Sequence, residues 1–227
     1  MQRYGLCATL ATMPLVVAVR ILGIDPGTQL VGFGCLELSV AGPQVDARAP
    51  LALRTANTVR AGASSDLTWI DCGVLHLGRN RQIPDRLLAL SDQLRALIQR
   101  LRPTEIAIEE AFYGKSASAA LRIGEARGVI LAESARAELA IHQYAPARVK
   151  RCVAGAGNAS KDAVAVMVQQ QLGIDLSVHL KGMTDDATDA LAVAFTRVEE
   201  WRSPMLREEK LAAALGEPIH FLARRRR

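Results

Sequence analysis

Four acidic side chains in three distant parts of the chain place the strongest constraint on its fold. Asp25 and Glu109 each end an apolar run that is typical of a buried strand, whereas Asp186 and Asp189 share one face at the start of an apolar helix. A fold that joins these places builds a pocket of carboxylates, whose repulsion must be offset by protonation or by cations. Oxygen ligands suit Mg²⁺ or Mn²⁺, and two such ions can support phosphodiester cleavage.

Each acid also has an ordinary structural explanation. Asp25 belongs to an Asp-Pro-Gly turn, in which aspartate is common. Glu109 and Glu110 follow a strand, and the alternation of side chains lets only one of them face a pocket. Asp186 lies in a first helical turn, where acids complement the helix dipole. Asp189 lies beyond that turn on an apolar helix, so it has the greatest need of a partner, and a metal ion is a suitable one.

Length and charge limit the class of protein. A chain of 227 residues is long enough for one well-buried domain but short for two full α/β domains. The net charge is +5, and the basic residues concentrate between the second and third acidic sites. They are Lys115, Arg122, Arg127, Arg148, Lys150, Arg151 and Lys161. An acidic pocket with cations around it is typical of a protein that draws in a nucleic-acid backbone.

The four cysteines and four histidines are scattered, with no C-x-x-C pair and no metal-ligand spacing. We therefore expect reduced, buried thiols in a cytoplasmic protein and no zinc site. The apolar stretch 6–24 could be mistaken for a signal or membrane segment, but Arg20 interrupts it and it continues into the Asp25 motif. We interpret its end as a core strand that follows an N-terminal extension, residues 1–15, with Met13 as an alternative start.

Hydrophobic periodicity predicts a mixed α/β order of elements. The predicted strands are 16–24, 31–38, 68–77, 105–108 and 141–144, and the predicted helices are 87–101, 117–139, 161–172 behind a Ser160 cap, and 184 or 185 to about 200. The stretch 39–66 is rich in Ala, Gly, Pro and Arg without a clear period, which predicts a long loop. Residues 201–227 form a basic tail that ends in four arginines.

The helix predicted for 117–139 carries small residues at every fourth position, namely Ala120, Gly124, Gly128 and Ala132. Two glycines inside a helix cost about 1 kcal/mol each relative to alanine. Close approach of another backbone along this stripe would compensate for that cost. The sequence leaves two partners open: the sheet of the same chain, or a second copy in a dimer.

Two aromatic residues, Phe112 and Tyr113, follow Glu109 in a stretch rich in Gly, Ser and Lys that includes Lys115. Aromatic side chains in a loop can stack on an unpaired base, although one ring could equally anchor the loop to the core. Lys150 and Lys161 are ordinary surface lysines unless the acidic pocket exists. If it does, we expect them to lie near the phosphate of a nucleic acid that binds there.

Taken together, these residues resemble the RuvC family of bacterial Holliday-junction resolvases, over nearly all of 19–197. Order and spacing agree as well as content. The matching stretches are Ile21-Leu-Gly-Ile-Asp-Pro-Gly-Thr28, Ile106-Ala-Ile-Glu-Glu-Ala-Phe112, Leu121-Arg-Ile-Gly-Glu-Ala-Arg-Gly-Val129, Tyr144-Ala-Pro-Ala-Arg-Val-Lys150 and Asp186-Ala-Thr-Asp-Ala-Leu-Ala192. The loop 39–66, the region before Met13 and the arginine tail go beyond the family pattern.

The resemblance implies a ribonuclease-H-like fold with a mixed five-stranded sheet, a nuclease domain over 16–200, and a homodimer that nicks two opposite strands of a four-way DNA junction. It implies a two-Mg²⁺ site, with Mn²⁺ as a substitute, and cooperation with the RuvA–RuvB branch-migration complex. The catalytic and metal-binding acids fall on Asp25, Glu109, Asp186 and Asp189. The junction-binding aromatic falls on Phe112, and the two basic positions fall on Lys150 and Lys161. Lys161 is also expected to stabilise transition-state charge.

Two other classes of protein share the motif around Asp25. Actin-like and sugar-kinase-like phosphotransferases also open with a Gly-Ile-Asp-x-Gly-Thr hairpin, but they need a second such domain and an Asp-x-Gly-Gly loop that this chain lacks. The YqgF-like group shares the fold and the first motif. The paired Asp186 and Asp189 and the Phe112 segment favour the resolvase.

Overall fold

The computed structural model describes residues 16–41, 66–110, 117–175 and 184–203. Within these ranges the chain forms five strands and five helices. The strands are β1 (Val16–Asp25), β2 (Leu30–Ala41), β3 (Asp66–His76), β4 (Glu105–Glu109) and β5 (Ala140–Tyr144). The helices are α1 (Ile83–Leu101), α2 (Ala117–Arg136), α3 (Pro146–Ala154), α4 (Lys161–Leu172) and α5 (Thr184–Arg202).

The strands form one mixed sheet in the order β3-β2-β1-β4-β5. Strand β2 is antiparallel to both β1 and β3, whereas β4 is parallel to both β1 and β5. This arrangement confirms the mixed five-stranded sheet that the resemblance implied. Because β1, β4 and β5 run in the same direction, their carboxyl ends meet at one edge of the sheet. We call this edge the carboxyl edge.

Helices cover both faces of the sheet, and the side chains of β1 alternate between them. Leu22 and Ile24 pack in the core that includes Leu90 and Leu94 of α1 and Ile130 of α2. Ile21 packs in the other core, which includes residues of α3, α4 and α5. By the same alternation, Asp25 is directed to the face that α5 covers.

The predicted long loop 39–66 was wrong at both ends. Strand β2 continues through Ala41 and β3 begins at Asp66, since the antiparallel ladder extends to the pair Ser39–Asp66. The rest of that loop, 42–65, lies outside the described residues, as do the N-terminal extension 1–15 and the tail beyond 203. Strands β2 and β3 are therefore paired from Leu30–His76 to Ser39–Asp66.

Other element boundaries also differ from the prediction. Helix α1 begins at Ile83, four residues earlier than predicted, because Pro84 is well suited to a first helical turn. Helix α3 was missed entirely, since its nine residues also begin with a proline and give too short a pattern. Helix α2 ends at Arg136, before the left-handed Glu138. Strand β1 confirms that the apolar stretch 16–24 is a core strand.

The glycine stripe of α2 faces outward. A Cβ atom added at Gly124 or Gly128 would meet no atom of the described residues within 4 Å, and both residues are exposed. Packing against the chain's own sheet is therefore the wrong explanation for these glycines. In the described segments, no helix combines the length and the apolar character that crossing a membrane requires.

Candidate active site

Asp25 and Glu109 lie side by side at the carboxyl edge. The parallel register pairs Ile24 with Ile108, so the next residue of each strand ends its run at the same level. Both carboxyls follow the alternation to the α5 face, and a side-chain hydrogen bond joins them. Two carboxyl oxygens can share a hydrogen bond only when one of them carries a proton. The apolar runs of β1 and β4 thus bring two acids into direct contact.

Helix α5 adds two further acids because it lies directly on the backbone of the sheet. A Cβ atom at Gly32, the partner of Asp25 in β2, would lie 1.9 Å from the carbonyl oxygen of Asp186. A Cβ atom at Gly23 would lie 2.1 Å from the carbonyl oxygen of Ala190. Only glycine permits this approach, which sets the first turns of α5 against the end of β1.

The electrostatics show that the four acids occupy one region. Burial is the largest cause that raises the pKa of Asp25 to about 8, and the negative charges of Glu109, Asp189 and Asp186 contribute to the same rise. Burial also raises the pKa of Glu109, whereas its hydrogen bond with Asp25 and the positive charges of Lys161 and Lys150 oppose that rise. A carboxyl with a pKa near neutrality holds a proton that a divalent cation can replace.

Lys161 is the basic side chain in direct contact with this cluster. Its Nζ donates to Oδ2 of Asp189 at 2.7 Å, and this hydrogen bond raises the pKa of the ammonium group. Ser160 caps α4, since its hydroxyl oxygen accepts from the backbone N–H of Ala163, and this cap positions Lys161 in the first turn. The ammonium group is therefore charged at neutral pH and largely solvent-accessible, beside the acids.

The donor set fits a hard divalent cation. All the acids offer oxygen, which Mg²⁺ and Mn²⁺ prefer, and the proton shared by Asp25 and Glu109 marks excess negative charge. Across the described ranges, no group of three or more His, Cys, Asp or Glu side chains stands in a ready coordination geometry. The pairwise contacts explain this result, because Asp25 bonds to Glu109 while Asp189 bonds to Lys161. Binding a cation requires these two contacts to be exchanged for metal contacts.

The structure describes only some of the predicted DNA-binding residues. Lys150 lies on α3, half-buried, and its charge acts on Glu109. Phe112, Tyr113 and Lys115 lie outside the described residues. The prediction missed the two glycines that seat α5. Their sequence signal is weak, because glycine inside a strand indicates a close approach without identifying the partner.

The mixed sheet with helices on both faces and acids at the carboxyl edge defines the class as a ribonuclease-H-like α/β protein. Comparison with known proteins agrees. A family model described as "Crossover junction endodeoxyribonuclease RuvC" matches residues 49–197, a range that contains Glu109, Asp186 and Asp189 and begins after Asp25. A protein of that name from Chloroflexus aurantiacus is 39% identical over 176 residues, which cover 78% of this chain and 90% of the relative. Another from Moorella thermoacetica is 38% identical over 195 residues, which cover 85% and 98%.

The chain therefore belongs to the RuvC family, as the sequence motifs predicted. Two solved structures share its fold. Thermus thermophilus RuvC in complex with a Holliday junction substrate gives a TM-score of 0.60 at 23% identity, covering 87% of this chain and 96% of that one. A yeast mitochondrial Holliday junction resolvase gives 0.53 at 14% identity, covering 87% and 84%.

Proposed function

We propose that this protein is a structure-selective endonuclease that resolves four-way DNA junctions by symmetric nicking of two opposite strands, in recombination and repair. The observation that carries the proposal is the position of Asp25, which is buried among three other acids at the end of the central strand. Membership of a family named for crossover junction cleavage supports it. Family membership also favours this function over a YqgF-like nuclease or a phosphotransferase.

We propose that Asp25, Glu109, Asp186 and Asp189 hold two Mg²⁺ ions, with Mn²⁺ as a substitute. Such ions lower the pKa of an attacking water and stabilise the departing 3′ oxygen. The four carboxylates would supply the negative charge that holds these ions. Lys161, already beside Asp189, is placed to neutralise charge that develops on the phosphate during cleavage.

The DNA contacts are a second part of the proposal. Lys150 and Lys161 flank the acids from α3 and α4, so they attract the scissile phosphate while the acids bind cations. Phe112, Tyr113 and Lys115 follow Glu109 within six residues of the sequence, which supports a role for them near the acids. We propose that Phe112 stacks on a base that is unpaired at the junction.

We further propose that the protein acts as a homodimer through the exposed glycine face of α2. Leu121, whose surface is 63% exposed, lies on that face with Gly124 and Gly128. Small residues let two helices approach closely, and a two-fold axis suits a junction whose strands are cut in symmetry-related pairs. Cooperation with the RuvA–RuvB complex in the cytoplasm belongs to the same proposal, on the basis of the family alone.

A cleavage assay tests the proposal. The purified protein is incubated with Mg²⁺ and either a synthetic four-way junction or a linear duplex of the same sequence, and the products are separated on a denaturing gel. We expect paired nicks in the junction only. Asp25→Asn should abolish nicking while junction binding persists, whereas Asp92→Asn, an exposed acid on α1, should cleave normally.

The contrary results are equally clear. Nicking by Asp25→Asn would remove this residue from the active site, and equal cleavage of duplex and junction would remove the structural selectivity. Calorimetric titration with ATP distinguishes the resolvase from the phosphotransferase alternative, because tight ATP binding without junction cleavage would favour the phosphotransferase.

A further inference from the structure

A second charged site lies beside the candidate active site. A cleft of about 590 Å³ opens between the loop that joins β3 to α1 and the first turns of α2. Its charged lining consists of Arg79, Arg81, Arg86, Arg122 and Glu125, so four guanidinium groups face one carboxylate. A volume in this range is ordinary for a ligand site, but the charged lining favours an anion over an apolar molecule. We call it the arginine cleft.

The arginine cleft lies at the carboxyl edge. Strand β2 begins and β3 ends there, since Leu30 pairs with His76 and the N–H of Leu77 donates to the carbonyl oxygen of Gln29 at 2.9 Å. The cleft also includes Thr28, three residues after Asp25. It is bounded by α1 and α2, whereas Asp186 and Asp189 come from α5 on the other face. A strand of DNA that crosses the carboxyl edge can therefore contact both sites.

Arg86 fastens the loop to the turn that follows Asp25. Its guanidinium donates to the carbonyl oxygens of Arg79 at 2.6 Å, Arg81 at 3.0 Å and Thr28 at 3.3 Å. The loop is also closed by a turn in which the N–H of Arg81 donates to the carbonyl oxygen of Gly78 at 3.2 Å. Because the carbonyl groups are directed to Arg86, the loop presents a fixed backbone from which the Arg79 and Arg81 side chains extend into solvent.

The described residues neutralise only part of the positive charge of the cleft. Arg122 pairs with Glu125 at 3.0 Å, and the guanidinium of Arg86 is occupied by backbone carbonyl groups. Within the described ranges, Arg79 and Arg81 form no ion pair. Arg81 also borders a smaller hollow that contains Asp85 and Asp92, so Arg79 is the simpler of the two to test.

We propose that the arginine cleft binds backbone phosphates of a DNA arm of the junction and guides that arm to the acids. Guanidinium groups bind phosphate oxygens in a planar, two-pronged geometry, and such contacts are independent of base sequence. The site deepens the proposed function and rests on it. The protein itself fixes the spacing between cleft and active site, because Arg86 bonds to both the loop and the Asp25 turn.

The test is the salt dependence of junction binding in Arg79→Gln/Arg81→Gln, compared with Arg100→Gln/Arg102→Gln. The control removes the same charge from the far end of α1, roughly 27 Å away along a helix of 19 residues. Each lost phosphate contact reduces the slope of log K against log salt by about 0.9. We therefore expect a reduction of about 1–2 for the cleft variant, so its affinity deficit shrinks about tenfold between about 50 and about 200 mM salt.

The control variant should keep the wild-type slope of log K against log salt. Arg79→Gln alone should reduce the magnitude of that slope by about 1, so the test remains valid if the double variant unfolds. Equal slopes in cleft and control variants would overturn the proposal. It would also be overturned if the cleft variant lost only the binding of inorganic pyrophosphate and kept its junction affinity, since the cleft would then serve a free anion. Wild-type protein that neither binds nor nicks a junction would instead refute the proposed function.

Discussion

Arg197 of α5 and Glu105 of β4 form a buried ion pair, with Nε and Oε2 at 2.6 Å and only 3% and 8% of the two side chains exposed. Trp201 donates to the same carboxylate oxygen at 3.2 Å, and Arg197 also bonds to Glu200 at 2.7 Å. Glu105 begins the strand that Glu109 ends, and Arg197 lies two turns beyond Asp189 on α5. The pair therefore fixes the register of α5 against the strand that carries Glu109.

Arg197→Met should destabilise the protein by about 3–5 kcal/mol, because it leaves the Glu105 charge buried without its main partner. Urea unfolding followed by circular dichroism measures the loss. The control is Arg202→Met, which breaks an i,i+3 pair with Glu199 at the surface and should cost no more than about 1 kcal/mol. Similar losses in the two variants would show that the buried pair does not hold α5 in place.

The contact between α5 and the sheet gives a second prediction. Gly32→Ala would place a methyl group 1.9 Å from the carbonyl oxygen of Asp186, so the first turn of α5 must move away from Asp25. We expect junction nicking to fall by at least tenfold and Mg²⁺ stabilisation to weaken. Gln170→Ala is the control, since this residue is exposed on α4, away from the contact between α5 and the sheet, and the variant should nick the junction normally. Unimpaired nicking by Gly32→Ala would mean that the site does not need this close approach.

The acids of the strands could be predicted from the sequence, whereas the approach of α5 could not. Asp25 and Glu109 end apolar runs, so their positions at strand ends follow from hydrophobic pattern alone. Their pairing in space followed from the family resemblance, since no local pattern specifies that β4 lies beside β1. Gly23 and Gly32 seat α5, yet a glycine in a strand does not state which element approaches it.

A short helix, a long-range ion pair and the direction of a helix face were the features least predictable from the sequence. Helix α3 carries Lys150 but has only nine residues, too few for a clear helical period. The Arg197–Glu105 pair joins residues 92 positions apart, and each side chain alone predicts an exposed position. The outward direction of the α2 glycines depended on which face of that helix meets the sheet, a choice that the small-residue stripe left open.

The pKa of Asp25 predicts how stability varies with pH. Folding raises it from an ordinary value of 3.8 to about 8, chiefly through burial. Between these values the folded protein holds a proton that the unfolded chain has released, so this contribution is full below about pH 4 and is lost as the pH rises through about 8. Asp25→Asn does not titrate there. In a chelator, its melting temperature should therefore rise relative to wild type as the pH increases from 4 to 8.

The control for this comparison is Gln170→Ala, whose difference from wild type should stay constant over the same range, since it removes no titratable group from an exposed position on α4. Adding Mg²⁺ at pH 8 should stabilise wild type more than Asp25→Asn, because a bound cation replaces the proton. A constant difference between Asp25→Asn and wild type across the range would contradict the burial of this carboxyl among other acids.

Lys161 and Lys150 should differ in what they contribute. Lys161 contacts Asp189 directly, so Lys161→Gln should lower the single-turnover nicking rate of bound junction by about 10²–10³, as expected for loss of a charge-stabilising donor. Lys150→Gln should chiefly weaken junction binding, with a smaller salt slope, because we propose that Lys150 contacts a DNA phosphate from α3. Lys161→Arg should recover part of the rate. An identical pattern in Lys150→Gln and Lys161→Gln would remove the distinction between a charge that stabilises the transition state and a charge that binds DNA.

The exposed face of α2 gives the last prediction. Gly128→Arg introduces a long charged side chain where none of the described residues lies within 4 Å of the added Cβ atom, so the monomer should fold as before while two copies can no longer approach along this stripe. We expect sedimentation velocity to show a dimer for wild type and a monomer for the variant at the same concentration. Gln170→Arg, at an exposed position on α4, adds the same charge elsewhere and should remain dimeric. If Gly128→Arg also stays dimeric, the two copies meet through another surface, and the exposed glycines of α2 have a different role.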